Sequence, residues 1–172
     1  MPPHFCLQCG TQLVWRTLPN DSRPREVCPA CGWVYYPHRK VSAGVVVEQD
    51  ERLLLLQRNI PPWEGHWYLP AGYVEVDETP EDAAARETAE ECGLRVQVGP
   101  LVAVYAYDDD PRGNGLLILY RAEIIGGALR PSPEVRAARF FARDEIPQAL
   151  AGGAHDRAIR AWQQGRLFAA GR

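Results

Sequence analysis

Glu87, Glu90 and Glu91 lie in a run that reads as a helix from Pro80 to Cys92, with offsets of three and four positions among them. Residues so spaced sit one turn apart, which puts the three carboxylates on one face. Like charges there repel by about a few tenths of a kcal/mol per pair, and no lysine on the helix relieves them. The other face carries Ala84, Ala85, Thr88 and Cys92, small side chains that suit close packing on a sheet. A tri-carboxylate face over a small-residue face is a holder for hard divalent cations, and all-oxygen ligands favour Mg²⁺ or Mn²⁺ over zinc. Three glutamates alone also fit an idle solvated face. From Glu75 to Glu91 eight carboxylates stand against one arginine, a net of −7 that must be solvated, disordered or bound to cations.

A second set of ligating residues lies at the other end. Four of the five cysteines form two turns, Cys6-x-x-Cys9-Gly10 and Cys28-x-x-Cys31-Gly32, with 18 residues between them. Each turn can point two thiolates at one centre, and two turns supply the four soft ligands of a tetrahedral zinc site. Two disulfides are disfavoured without a secretion signal, and a redox C-x-x-C would not explain the duplication. Cys92 reads as a small buried helix residue without chemistry.

The elements that must position these groups follow from local pattern. Forty residues bury little core, so residues 1–40 form a small module that metal would stabilise. From Val41 the pattern changes, and residues 41–172 form the main domain. Val41 to Val47 and Arg52 to Arg58 are apolar runs joined by a polar turn, which predicts two strands. Trp67 to Leu69 is a short strand ending at Pro70. Thr79 as N-cap, Pro80 in the first turn and Asp82 three residues after the cap start the carboxylate helix, and Gly93 stops it. Strands follow around 96–107, 116–124 and 137–141, with a polar hairpin loop at 108–114. Helical segments are expected near 144–150 and 155–164. Mixed strands with helices on both sides predict an α/β sandwich.

Composition narrows the function classes. The chain has 172 residues, 46% hydrophobic and 24% charged, a globular balance. The apolar stretches fall far short of the ~18 residues of a membrane span, and no secretory leader is evident, so a cytoplasmic protein without a membrane partner is expected. The net charge of −3 argues against a general nucleic-acid binder. The first forty residues do carry five basic groups against two acidic ones.

The stretch from Gly72 to Leu94, GYVEVDETPEDAAARETAEECGL, resembles the Nudix box, G-x5-E-x7-R-E-U-x-E-E-x-G-U with U bulky and apolar. Gly72, Glu78, Arg86, Glu87, Glu90, Glu91, Gly93 and Leu94 match it, and Thr88 stands at the first U position. The resemblance implies a Nudix-type α/β/α sandwich with a mixed sheet and a loop–helix–loop that binds Mg²⁺ or Mn²⁺ against a pyrophosphate. Glu87, Glu90 and Glu91 would be the catalytic metal-binding group, with the Ala71 carbonyl as an added ligand. Arg86 and Glu78 would be an ion pair holding the loop to the helix. Glu134, before the last strand, matches the place of a further carboxylate, as ligand or base.

The two modules together resemble Nudix hydrolases with an N-terminal zinc ribbon, a subset that includes NADH pyrophosphatases and FAD or ADP-ribose hydrolases. The implied reaction is hydrolysis of the pyrophosphate bond in a nucleoside diphosphate linked to another group, releasing a nucleoside monophosphate such as AMP. The NADH pyrophosphatase signature S-Q-P-W-P-x-P-x-S is missing from 101–119, which weakens the NADH reading. ADP-ribose hydrolases often carry a Pro beyond the box, and Pro111 stands near that place. Arg58 is a candidate phosphate contact. Tyr105 and Tyr107, with Trp63, Trp67 and Tyr68, are candidates for stacking on a base, although core packing explains most aromatics. The rival readings are a nucleotide sensor without catalysis and an RNA cap-trimming hydrolase whose ribbon binds RNA. The resemblance also allows a homodimer.

Overall fold

The computed structural model describes residues 4–167. The chain divides into two compact units between His38 and Arg39.

In the first unit β1 (Val14–Arg16), β2 (Arg25–Val27) and β3 (Val34–Tyr35) form an antiparallel sheet in that order. Each cysteine turn is closed the same way: the Gly10 N–H donates to the Cys6 carbonyl at 2.9 Å and the Gly32 N–H to the Cys28 carbonyl at 3.0 Å. Both glycines are left-handed, at φ +71° and +77°, and a Cβ on either would touch nothing within 4 Å. Backbone conformation, not space, therefore demands glycine there. The buried apolar residues of this unit are Cys6, Leu13, Val27 and Cys28.

The second unit is built on a mixed sheet. β4 (Lys40–Gln49) and β5 (Arg52–Arg58) form an antiparallel hairpin. β8 (Leu94–Tyr107) and β9 (Gly115–Gly127) form a long one, and β10 (Val135–Phe141) pairs with β5. The order is β10-β5-β4-β9-β8, with β4 and β9 parallel and the other pairs antiparallel. Two short strands, β6 (Trp67–Tyr68) on β5 and β7 (Ala71–Tyr73) on β4, flank the path.

Strand alternation divides the core in two. Val45, Val47, Leu54 and Leu56 face α1 (Pro80–Cys92) and its Ala83 and Ala84. Val46, Leu53 and Leu55 face α2 (His155–Gln163) and its Ile159 and Trp162. The result is the α/β sandwich expected from the sequence. The capping of α1 is also as read: the Thr79 side chain accepts from Asp82 N–H in a capping box, and Gly93 ends the helix at φ +75°. Thr88, fully buried at the bulky position of the box, donates its hydroxyl to the Ala84 carbonyl at 2.7 Å, which satisfies its polar atom inside the core.

One expected helix is absent. Residues 144–150 form only a 3₁₀ turn at Arg143–Glu145 followed by irregular chain. Pro147 lacks the N–H that a helix would use, and it disfavours a helical Ile146 before it. Among the described residues no helix is long and apolar enough to cross a membrane.

Candidate active site

The first unit gathers the four cysteines. Their sulfurs all lie within 4.8 Å of one another, with Cys6–Cys31 at 3.6 Å, Cys9–Cys28 at 3.5 Å and Cys9–Cys31 at 3.7 Å. Four sulfurs each about 2.3 Å from a tetrahedral centre would be about 3.8 Å apart. The thiols are free rather than bridged. The geometry fits a closed thiolate site for zinc.

The second unit holds a cleft of about 220 Å³ lined by Glu87, Glu91, Glu134 and Arg58 among others. These arrive by two routes. Glu87 and Glu91 come from one face of α1. Arg58 and Glu134 come from the pairing of β5 with β10, in which Arg58 faces Val135 and the Asn59 N–H donates to the Glu134 carbonyl at 2.8 Å. Gly72 on β7 lies over Glu87 so closely that a Cβ there would fall 2.0 Å from the Glu87 Cδ.

Glu91 is held at both of its carboxylate oxygens. The Tyr68 hydroxyl donates to its Oε1 at 2.7 Å and the Ala71 N–H to its Oε2 at 3.1 Å. Burial pushes its carboxyl up to about 8 even against those two bonds, which pull the other way. Burial and then the Glu91 charge lift the Tyr68 phenol above its usual range. Burial likewise raises Glu87, opposed by Arg86. Buried carboxylates with few balancing charges are what a hard cation stabilises. Glu87, Glu91 and Glu134 offer the oxygen donors a hard divalent cation takes and line the cleft with Ala71, while among the described residues only the four cysteines are gathered at ligand spacing.

Glu90 is placed differently. Its side chain is 61% exposed and outside the cleft, where Arg86 Nη1 reaches it at 3.0 Å. Arg86 is the hub of the loop: it donates to both oxygens of Glu78 at 3.0 and 2.7 Å, to Glu87 at 2.9 Å and to the Tyr73 carbonyl at 3.1 Å. The Glu78 hydrogen bonds raise Arg86 in turn, and Arg86 holds the Glu78 carboxyl at about 2.

Among the five aromatics named as stacking candidates, Trp63, Tyr68 and Tyr107 line the cleft. Tyr105 does not: it packs against the α2-side core with the Arg157 guanidinium 5.5 Å from its ring centre. Trp67 packs edge-on to Phe141 at 4.7 Å. Cys92 is buried, its thiol on the Thr88 carbonyl.

Several cleft residues carry no signal in the sequence. His155, at the start of α2, accepts the Leu69 N–H on Nδ1 at 3.3 Å, which leaves the ring hydrogen on Nε2. Burial, then the charges of Arg58 and Arg112, push it down to about 3, so it is an uncharged donor at ordinary pH. Tyr73, Asp110 and Arg112 also line the cleft. A lone histidine and a loop ion pair belong to no motif, and only the tertiary fold brings them here.

The chain matches the NUDIX domain family over residues 38–163 and the Nudix N-terminal zinc-ribbon family over residues 4–37. It belongs to the Nudix family. As a Nudix hydrolase it acts on phosphorus-containing anhydrides. It is 38% identical over 114 residues to an ADP-ribose pyrophosphatase of Methanocaldococcus jannaschii, covering 66% of this chain and 68% of that one. It is 34% identical over 149 residues to the NAD-capped RNA hydrolase NudC of Stutzerimonas stutzeri, covering 83% of this chain. It spans about half the length of that relative, 49%. The crystal structure of a NUDIX hydrolase from Nitrosomonas europaea superposes with a TM-score of 0.81 at 36% identity, covering 93% of this chain and 90% of that one.

Proposed function

We propose that this Nudix hydrolase cleaves the pyrophosphate bond of a nucleoside diphosphate linked to another group, with ADP-ribose as the leading substrate and AMP as a product. The observation that carries the reading is the convergence of Glu87, Glu91 and Glu134 with Arg58 around one cleft. The relative named an ADP-ribose pyrophosphatase supports the substrate, as does the missing NADH signature between 101 and 119.

Glu87, Glu91 and Glu134 would hold Mg²⁺ or Mn²⁺, which when bound neutralises phosphate oxygens and lowers the pKa of an attacking water. Tyr68 and the Ala71 N–H fix the Glu91 carboxylate so that its unused lone pairs face the cleft. Arg58, its Nε tied to the Pro62 carbonyl at 2.8 Å, keeps its Nη groups for a phosphate oxygen. Arg86 acts at a distance from the substrate: it clamps the Glu78 loop to α1 and steadies Glu87. Glu134, where it does not ligate the metal, would be the carboxylate that takes a proton from water, and the four cysteines would hold structural zinc.

The test is a substrate panel of ADP-ribose, FAD, NADH and NAD-capped RNA with Mg²⁺ and with Mn²⁺, products identified by mass. AMP and ribose 5-phosphate from ADP-ribose, with slower turnover of the others, is the expected result. Faster turnover of capped RNA than of ADP-ribose would favour the RNA reading, and binding of ADP-ribose without cleavage under either metal would favour a sensor.

A further inference from the structure

The cleft is also lined by a polar group that the proposed chemistry does not use. Asp110 and Arg112, in the loop between β8 and β9, line it together with Tyr73. The Asp110 side chain is 3% exposed. Its Oδ1 accepts the Arg112 N–H at 2.8 Å and Nε at 3.0 Å, and its Oδ2 accepts Nη2 at 2.7 Å. Burying a carboxylate is costly even when paired. The loop does not need this pair to be held, because it is pinned elsewhere. Lys40 Nζ donates to the Arg112 carbonyl at 2.8 Å, and the Gly153 N–H donates to Asp109 at 3.1 Å. What the Asp110 carboxylate adds is a fixed orientation of the Arg112 fork, whose Nη1 has no hydrogen-bond partner among the described residues.

Tyr73 supplies the second observation. The Arg112 guanidinium carbon lies 5.8 Å from the centre of the Tyr73 ring. The Tyr73 hydroxyl is buried and, among the described residues, has no hydrogen-bond partner. Buried hydroxyls are nearly always paired, and this one has its bonding capacity unused by the described residues. Beside it the Tyr107 and Ser42 hydroxyls meet at 3.5 Å, and His155 offers its uncharged Nε2 hydrogen.

Charge balance distinguishes the two ends. Among the lining residues Asp110 cancels Arg112, and the nearby Lys40, 5.2 Å from the Tyr73 ring centre, turns its Nζ to the Arg112 carbonyl and does not line the cleft, so the lining here presents directional donors and hydroxyls with little net charge. Among the described residues the Arg58 side chain is hydrogen-bonded only to the Pro62 carbonyl, and it stands near Glu91, where a phosphate belongs. A fixed fork and neutral hydroxyls without net charge match vicinal hydroxyl groups rather than another anion.

We propose that Arg112, oriented by Asp110, and the Tyr73 hydroxyl form a sugar-reading subsite that takes the hydroxyls of a ribose ring and sets substrate preference. The proposal rests on the reading of this cleft as the pyrophosphate site. Two rings carry that chemistry, the ribose of the nucleoside and the sugar linked to the diphosphate.

The test is equilibrium binding by calorimetry with Ca²⁺ supplied to balance the carboxylates against the diphosphate, read separately from hydrolysis under Mg²⁺ or Mn²⁺. The variants are Tyr73→Phe, which removes one oxygen, and Arg112→Met; Asp110→Asn checks the orienting role. The ligands are ADP-ribose, the methyl ester of ADP, which lacks the linked sugar, and ADP-ribose with 2′,3′-dideoxyadenosine, which lacks the nucleoside diol. Each variant should weaken ADP-ribose about tenfold, the size of one good hydrogen bond, with KM rising more than kcat falls. That loss should vanish on one of the two truncated ligands, which names the ring. Unchanged affinity in Tyr73→Phe and Arg112→Met, an equal loss on all three ligands, or no binding of ADP-ribose to the wild type would overturn the subsite. Binding of ADP-ribose by the wild type without hydrolysis under either metal would instead overturn the proposed activity and leave the subsite standing.

Discussion

The Tyr68 hydroxyl and the Ala71 N–H grip the two oxygens of Glu91 from opposite sides of Pro70, at 2.7 and 3.1 Å. A buried carboxylate bound at both oxygens by neighbouring strands cannot swing, so its orientation toward the cleft is built in before anything binds. Glu91→Gln keeps size and most packing while removing the charge. Turnover should fall by about a thousandfold or more, as expected when a group that organises transition-state charge is lost, while the fold survives. Tyr68→Phe should be milder: one oxygen of Glu91 loses its donor, at a cost of about 1–3 kcal/mol in stability. Metal-dependent turnover and melting curves check both, and near-normal turnover in Glu91→Gln would remove that residue from the reaction.

The Glu78–Arg86 pair should show itself in acid. Glu78 is held at about 2 in the folded chain by Arg86, against an ordinary value of 4.5. A carboxylate with a lowered folded pKa stabilises fully above its unfolded value and loses that contribution as pH falls toward the folded one. Glu78→Gln should therefore be less stable than wild type at pH 7, and the gap should narrow below about pH 4.5 and close near pH 2. Urea midpoints for the two proteins across that range measure it. A gap that stayed constant with pH would mean that the charge of Glu78 contributes nothing to stability.

The carboxylate helix was legible because everything that defines it is local: Thr79, Pro80 and Asp82 at one end, Gly93 at the other. Glu90 was less so. At about 100° per residue Glu87 and Glu91 are only about 40° apart, whereas Glu90 lies about 100° from Glu91 and turns to solvent. Shared spacing of three and four placed all three on a broad face, but the cleft takes only two. β7 was not legible at all, since Ala71–Tyr73 is a strand only through its pairing with β4. The same holds for the cleft wall: Tyr107 and Tyr105 alternate onto one face, yet Arg157 covers Tyr105. Asp110, Arg112 and His155 meet there through tertiary contacts that no local pattern encodes.

The ribbon has a separate prediction. With a buried core of Cys6, Leu13, Val27 and Cys28, the first unit has little apolar area to hold its fold. Native mass spectrometry should find about one zinc per chain. Cys28→Ser should lose that metal and expose the first unit to proteolysis near residue 38, while slowing hydrolysis far less than Glu91→Gln. A protein purified without zinc and with the first unit protease-resistant would rule out a structural metal.

Gly72 offers the sharpest test of the carboxylate site, because its reason for being glycine is space. No left-handed φ is required of it, but an added Cβ would land 2.0 Å from the Glu87 Cδ and 2.1 Å from Oε1. The obstructing atoms are the end of a flexible side chain, so Gly72→Ala should fold by pushing the Glu87 carboxylate aside rather than by distorting β7. Turnover should then drop by about a hundredfold or more, since a reacting group displaced by about 1 Å already costs that much. Melting temperature should change little. Glu87→Gln should cost a similar factor, and the double variant should be hardly worse than either single one, because both act on the same carboxylate. Additive losses would show that Gly72 serves the reaction through something other than Glu87. Normal turnover in Gly72→Ala would show that the position of the Glu87 carboxylate does not matter to the chemistry.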